Sequence, residues 1–220
     1  FTKDTKVRLT DGRSLSFEEL IKEHKEGKRN WTFTFNFETQ KIEITEIKNP
    51  RLTKKDEDIL EITLDNEEKI KCTPNHRFMM RDGNYKQAKD LESGDSLMPL
   101  YINLYRGEDK NLKEYELIYQ PVKENEEFIH HLADKWNLDN CVYGKSAGRI
   151  RHHKDFNKLN NNPENILRIQ WQDHWRFHKE IASARHKNDQ EYVKKIAEGR
   201  RRFWADPKNK QKASQFWTEF

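Results

Sequence analysis

His152 and His153 stand side by side, and His174 and His178 follow four residues apart. Imidazole nitrogens bind divalent metals and exchange protons near neutral pH, so this set can do either kind of chemistry. Between the two pairs runs a polar loop with five asparagines in the nine residues from Asn157 to Asn165, and Pro163 among them. Such a stretch must turn repeatedly. The alternation over Gly148, Arg149, Ile150 and Arg151 predicts a strand ending in the histidine pair, and Ile166 to Ile169 reads as the return strand. From Trp171 to about Lys187 the pattern predicts a helix, on which side chains four apart leave one face and can close on a single ion. Neighbouring side chains on a strand point to opposite sides, so one strand-end histidine can ligate while the other stays free as a base. A structural zinc site ordinarily takes four protein ligands with thiolates among them, and no CxxC pair occurs here. Three histidines with an unligated fourth suit an open, catalytic position better.

The order of these residues, His-His, then Asn165 twelve positions on, then His174 and His178, resembles the HNH (ββα-metal) nucleases. The resemblance implies that His152, His174 and His178 hold a divalent metal. His153 would be the general base on a water, and Asn165 would pin the loop and orient that base. Mg²⁺ or Mn²⁺ would serve catalysis, while an all-nitrogen site would bind Zn²⁺ or Ni²⁺ tightly. The implied substrate is double-stranded DNA.

A second set lies near the start. Phe1-Thr2-Lys3-Asp4-Thr5-Lys6-Val7-Arg8-Leu9-Thr10-Asp11-Gly12 resembles the opening block of inteins and other Hint domains, starting one residue late. Cys72-Thr73-Pro74-Asn75-His76-Arg77-Phe78 resembles their TxxH block, and Ala88 to Asp95 matches the A-x-x-L-x-x-G-D run that closes the N-terminal Hint half. By that resemblance Thr73 and His76 polarise and protonate a scissile peptide in the first acyl shift. The shift needs a Cys or Ser ahead of Phe1, and release at the far end needs a His-Asn pair. The chain as written is therefore expected not to splice, with the C-terminal Hint portion as its missing partner. Cys72 itself reads as a small buried residue rather than a nucleophile.

These sites need elements to hold them. Charged residues make up 36% of the 220 and the hydrophobic set only 33%, so any core must be modest; 11% aromatic argues against disorder of the whole chain. No apolar run reaches membrane-spanning length, two cysteines give no disulfide framework, and a cytoplasmic setting with no membrane partner is expected. Period-two alternation predicts strands at 5–9, 31–37, 41–44, 60–64 and 69–72, and Ser16 with Glu19 predicts a capped helix start. Tyr115 to Tyr119 and Glu127 to Ile129 read as a hairpin. Ile129 to Leu138 reads as a helix with Ile129, Leu132 and Trp136 on one stripe, His130 and His131 being structural or surface residues.

The fold class expected is α+β. A β-rich, horseshoe-like Hint half at 1–100 is followed by a linker at 101–114, a ββα-metal domain at 115–182 and basic helical repeats at 183–220. The last 80 residues hold 18 basic and 9 acidic side chains, which points to a polyanion partner. In the tail Asp189 and Asp206 head two similar stretches at an offset of seventeen, resembling the modular DNA-binding repeats found beside homing nucleases. The DNA contacts expected are Arg149, Arg151, Arg200, Arg201, Arg202, Trp204, Lys208 and Lys210, cations neutralising phosphates beside an aromatic ring. Together the parts resemble an intein carrying an HNH homing endonuclease. Two other readings stay open: a splicing or autoprocessing module with a decayed nuclease, and a DNA-binding protein with a structural zinc site.

Overall fold

The computed structural model describes residues 1–211, in two units, the first Phe1–Ile169 and the second beginning at Gln170. In the first unit every strand pairing is antiparallel. The longest ladder joins β3 (Trp31–Asn36) to β4 (Lys41–Glu46), with Phe33 opposite Ile44 and Phe35 opposite Ile42. Alternation puts Trp31, Ile42 and Ile44 into the core, and Phe33 and Phe35 pack beside them. Onto this ladder folds α2 (Ile129–Asp139), whose Ile129, Leu132 and Ala133 share that core, with Trp136 edge-on to Trp31. Ile118 and Ile166 complete it. Full burial of each such large aliphatic chain stabilises by about 1.5–3 kcal/mol.

Preceding α2 are β10 (Glu116–Gln120) and β11 (Asn125–Phe128), with β9 (Ile102–Leu104) on the outer side of β10. Thus the stretch expected as a linker contributes a strand. The expected boundary near residue 100 also falls inside this unit, because the core draws on 31–44 and on 118–166 together. Gln120 stitches the two parts: its buried amide accepts from the Ile42 N–H at 2.7 Å and donates to the Ile42 carbonyl at 3.0 Å.

At the start of the chain β1 (Lys6–Arg8) pairs with β2 (Ser14–Ser16), and α1 (Phe17–Lys25) follows. The Ser16–Glu19 capping box forms as expected. A second, smaller core of Cys72, Phe78 and Ala88, with Ile62, Ile70, Leu91 and Leu97, lies under β5 (Leu60–Thr63), β6 (Lys69–Cys72), β7 (Arg77–Met79) and β8 (Tyr85–Gln87). The unit closes with the hairpin β12 (Ile150–His153) and β13 (Ile166–Ile169), where His153 faces Ile166.

The second unit holds α3 (Trp171–Asn188) and α4 (Gln190–Ala205), neither with a buried residue. Asp189 caps α4, its carboxylate accepting from the Tyr192 N–H at 2.9 Å. Residues 207–211 are again helical, and the Asp206 carboxylate accepts from the Lys208 N–H at 2.9 Å. The remainder of the second expected repeat, with Lys212, Ser214 and Phe220, lies outside the described residues.

Candidate functional sites

The turn Thr73–His76 joins β6 to β7. The His76 N–H donates to the Thr73 carbonyl at 3.0 Å, while the His76 and Pro74 carbonyls accept from the Ala88 and Lys89 N–H groups at 2.7 and 3.0 Å. The first residues of the chain are drawn to the same place. Thr2 N–H donates to the Lys71 carbonyl at 3.2 Å, and the Phe1 ring sits 4.0 Å from the His76 ring and edge-on to Phe78. Burial holds His76 below the ordinary imidazole range. Burial pushes the Cys72 thiol up. A raised thiol is a poor nucleophile, in keeping with a packing role.

The histidine pair ends β12, and both side chains are buried. Asn165 lies in the loop behind them and bonds within it. Its amide donates to Asp155 Oδ1 and to the Asn160 carbonyl, both at 2.8 Å, and its Oδ1 accepts from the Asp155 N–H at 3.1 Å. Contact with His153 is made instead by Asn161, whose Oδ1 lies 3.1 Å from His153 Nε2. Phe156, against the His152 ring at 4.8 Å, sits at φ +61°, a conformation a bulky aromatic rarely takes and that costs about 1–3 kcal/mol. Burial pulls His153 below its ordinary pKa, although the Asn161 bond opposes it.

Around this hairpin are groups that the spacing of the histidines does not reveal. Asp134 of α2 is 2% exposed. Arg168 reaches its two oxygens with two nitrogens, both at 2.7 Å, Arg151 adds a third contact at 2.9 Å and the Tyr143 hydroxyl a fourth at 3.0 Å. Burial pushes the Asp134 carboxyl up, but these donors outweigh it and hold it below the usual range. Arg151, expected on DNA, is half-buried on this carboxylate, whereas Arg149 is exposed. His130 is buried with its Nδ1 unpartnered, and burial, then His131 and His153, push it down to about 2.

In the second unit His174 and His178 lie one turn apart on α3 with their Nε2 atoms 3.1 Å from each other. Two nitrogens bound at about 2.0–2.1 Å to one tetrahedral ion would stand about 3.3 Å apart, so the pair fits two corners of such a site. Burial, then His178, lower the His174 pKa, which favours the neutral imidazole that metals require. Arg200, Arg201, Arg202 and Trp204 are exposed on α4, and Lys208 and Lys210 are exposed beyond it.

The model of the intein splicing domain matches residues 7–203. The chain belongs to the intein splicing-domain family. It is also 41% identical over 217 residues to the gyrase B protein of the DNA gyrase of Synechocystis sp., a match that covers 97% of this chain and 20% of that protein. The chain thus spans about a fifth of the length of the curated relative it matches. Membership of an intein family accords with the mixed, β-rich first unit. No helix among the described residues is long and apolar enough to cross a membrane.

Proposed function

We propose that this intein domain performs an autoprocessing reaction on the peptide bond that precedes a residue joined to the Phe1 amino group. The observation that carries the reading is the packing of Phe1 on His76, which would deliver that bond to the TxxH turn. With a cysteine in that position, its sulfur would attack the preceding carbonyl carbon, a thioester C–S bond would form and the C–N bond would break. The thiol proton would pass to the freed amine, and a neutral, buried imidazole at His76 is suited to carry it. Thr73 would polarise the carbonyl. A host resembling the gyrase B protein is proposed on the partial match, and a C-terminal Hint portion is the partner that would complete splicing. The test is a reporter protein joined through Cys to Phe1, with the downstream reading frame supplied. Thiol-induced release that falls on the order of 10²–10⁴-fold in His76→Ala supports the reading; release at the same rate overturns it.

A second reading is favoured by the His174–His178 pair: a metal-dependent HNH endonuclease acting on double-stranded DNA. In it His152 joins the pair as third ligand on the strength of the sequence order, His153 is the base and Asn165 holds the loop. A bound divalent ion would supply Lewis acidity toward the scissile phosphate. Exposed Arg149, Arg200, Arg201, Arg202, Lys208 and Lys210 would neutralise phosphates, with Trp204 available to pack against sugar or base. Plasmid carrying the uninterrupted host site, incubated with Mg²⁺, with EDTA and with His153→Ala, decides it. Cutting that needs both the ion and His153 supports the nuclease, and no cutting with any divalent ion overturns it.

A further inference from the structure

The loop that holds His153 is tied to the opening strand of the chain. Asn161 N–H donates to the Thr10 carbonyl at 2.9 Å, and the Thr10 hydroxyl donates to Asn162 Oδ1 at 2.6 Å. Beyond these ties runs a line of side-chain contacts. Arg8 of β1 donates to Glu116 Oε1 at 2.5 Å, Asn161 Nδ2 faces Glu116 Oε2 at 3.4 Å, and Asn161 Oδ1 faces His153 Nε2 at 3.1 Å. Glu116 and Asn161 are both buried.

The direction of this line follows from its two ends. Arg8 is only a donor, so Glu116 accepts from it as a carboxylate and presents its other oxygen as an acceptor too. Asn161 Nδ2 lies within reach of that oxygen and of the Leu159 carbonyl at 3.3 Å. Turning the amide over would set Oδ1 against two acceptors. The amide is therefore oriented with NH₂ toward Glu116, which leaves Oδ1 as an acceptor for His153. Nε2 must then carry the proton, and Nδ1 keeps the lone pair. Tyr115 and His130 pack on the His153 ring, their centroids at 5.7 and 5.8 Å, and limit its rotation.

We propose that Arg8, Glu116 and Asn161 are positioning residues that fix His153 as the Nε2–H tautomer, with Nδ1 left as the basic nitrogen. In its catalytic consequence this rests on the nuclease reading; in its geometry it does not. The strand that opens the splicing domain thereby takes part in orienting a group of the second site.

The experiment is ¹⁵N NMR of histidine-labelled full chain at a pH where His153 is neutral, alongside plasmid cleavage. The wild-type His153 signals are expected to be those of the Nε2–H form. In Asn161→Leu they should move toward a tautomer mixture, and in the gentler, isosteric Glu116→Gln they should shift the same way with the fold retained. An Nδ1–H wild type, or an unchanged tautomer in both variants, overturns the proposal. Where the wild type cuts DNA, kcat should fall on the order of a hundredfold in Asn161→Leu with KM little altered, and undiminished cutting overturns the positioning role. An Nε2–H His153 in a chain that cuts no DNA overturns the nuclease reading and supports the positioning network.

Discussion

The Phe1 ring packs on His76 at a centroid distance of 4.0 Å, tilted by 52°, although Phe1 itself is 47% exposed. That contact covers the imidazole and is a source of its burial. Phe1→Ala should therefore raise the His76 pKa toward the ordinary value. Loss of the stack should also cost about 0.5–1.5 kcal/mol. An NMR titration of His76 and urea unfolding read the two effects; an unmoved midpoint would show that other side chains bury this ring.

Acid should weaken the first unit well above the carboxylate range. His130 is held near 2 in the folded chain, against an ordinary value of 6.5. His131, His153, Arg151 and Asp134 act on it electrostatically, and only Asp134 favours its charged form. Below pH 6.5 the unfolded chain takes up a proton that the folded chain refuses, so stability is full above that pH and falls as pH drops. Between 6.5 and 5 the difference is about 1.5 pH units, or about 2 kcal/mol. Urea midpoints at pH 7 and pH 5 should show this loss, and His130→Gln should remove the His130 share of it, while His76, His131 and His153, also held down by burial, keep theirs. Equal pH dependence in the variant would sink the assignment. Glu116, raised by burial, works in the opposite direction and cancels in the comparison.

Local pattern carried the elements but not their partners. The Ser16–Glu19 cap, the alternation in β3 and β4 and the stripe on α2 all lie within a few residues of each other, and the structure has them where the pattern predicts. The shared core is different in kind. Nothing local to Ile42 says that Ile118 and Ile166 lie against it, nor that Gln120 bonds its backbone. In the site, an asparagine-rich loop offers several equivalent candidates. Asn165 bonds to Asp155 within the loop, and only the fold distinguishes Asn161 as the residue on His153. The buried counter-charge of Arg151, Asp134, lies seventeen residues away on another element, where no local pattern shows it.

Asp134 should be among the least replaceable residues outside the candidate sites. It receives two arginines and a tyrosine hydroxyl while 2% exposed. Asp134→Ala leaves two guanidinium groups facing a buried gap, a change that costs about 3–5 kcal/mol. Asp134→Asn keeps the volume and one acceptor oxygen, so it should cost less. Denaturant unfolding of the two variants gives the order, and a wild-type midpoint for Asp134→Ala would mean that both arginines reach water instead.

The pair on α3 makes a prediction that does not depend on any DNA being cut. Nε2 atoms held 3.1 Å apart by one helical turn are prepared to share an ion, and each lost nitrogen removes a direct bond. His178→Ala should weaken Ni²⁺ or Co²⁺ binding by at least about a hundredfold, measured by calorimetry or by the Co²⁺ absorption bands. His186 lies on the same helix and eight residues beyond His178, with its ring against Tyr192, so His186→Ala serves as the control and should leave affinity unchanged. Because only neutral imidazoles ligate, affinity should fall as pH drops through the histidine range. Equal affinity in His178→Ala and wild type would mean that the close approach of the two rings is helix geometry alone, and it would remove the principal support for the nuclease reading.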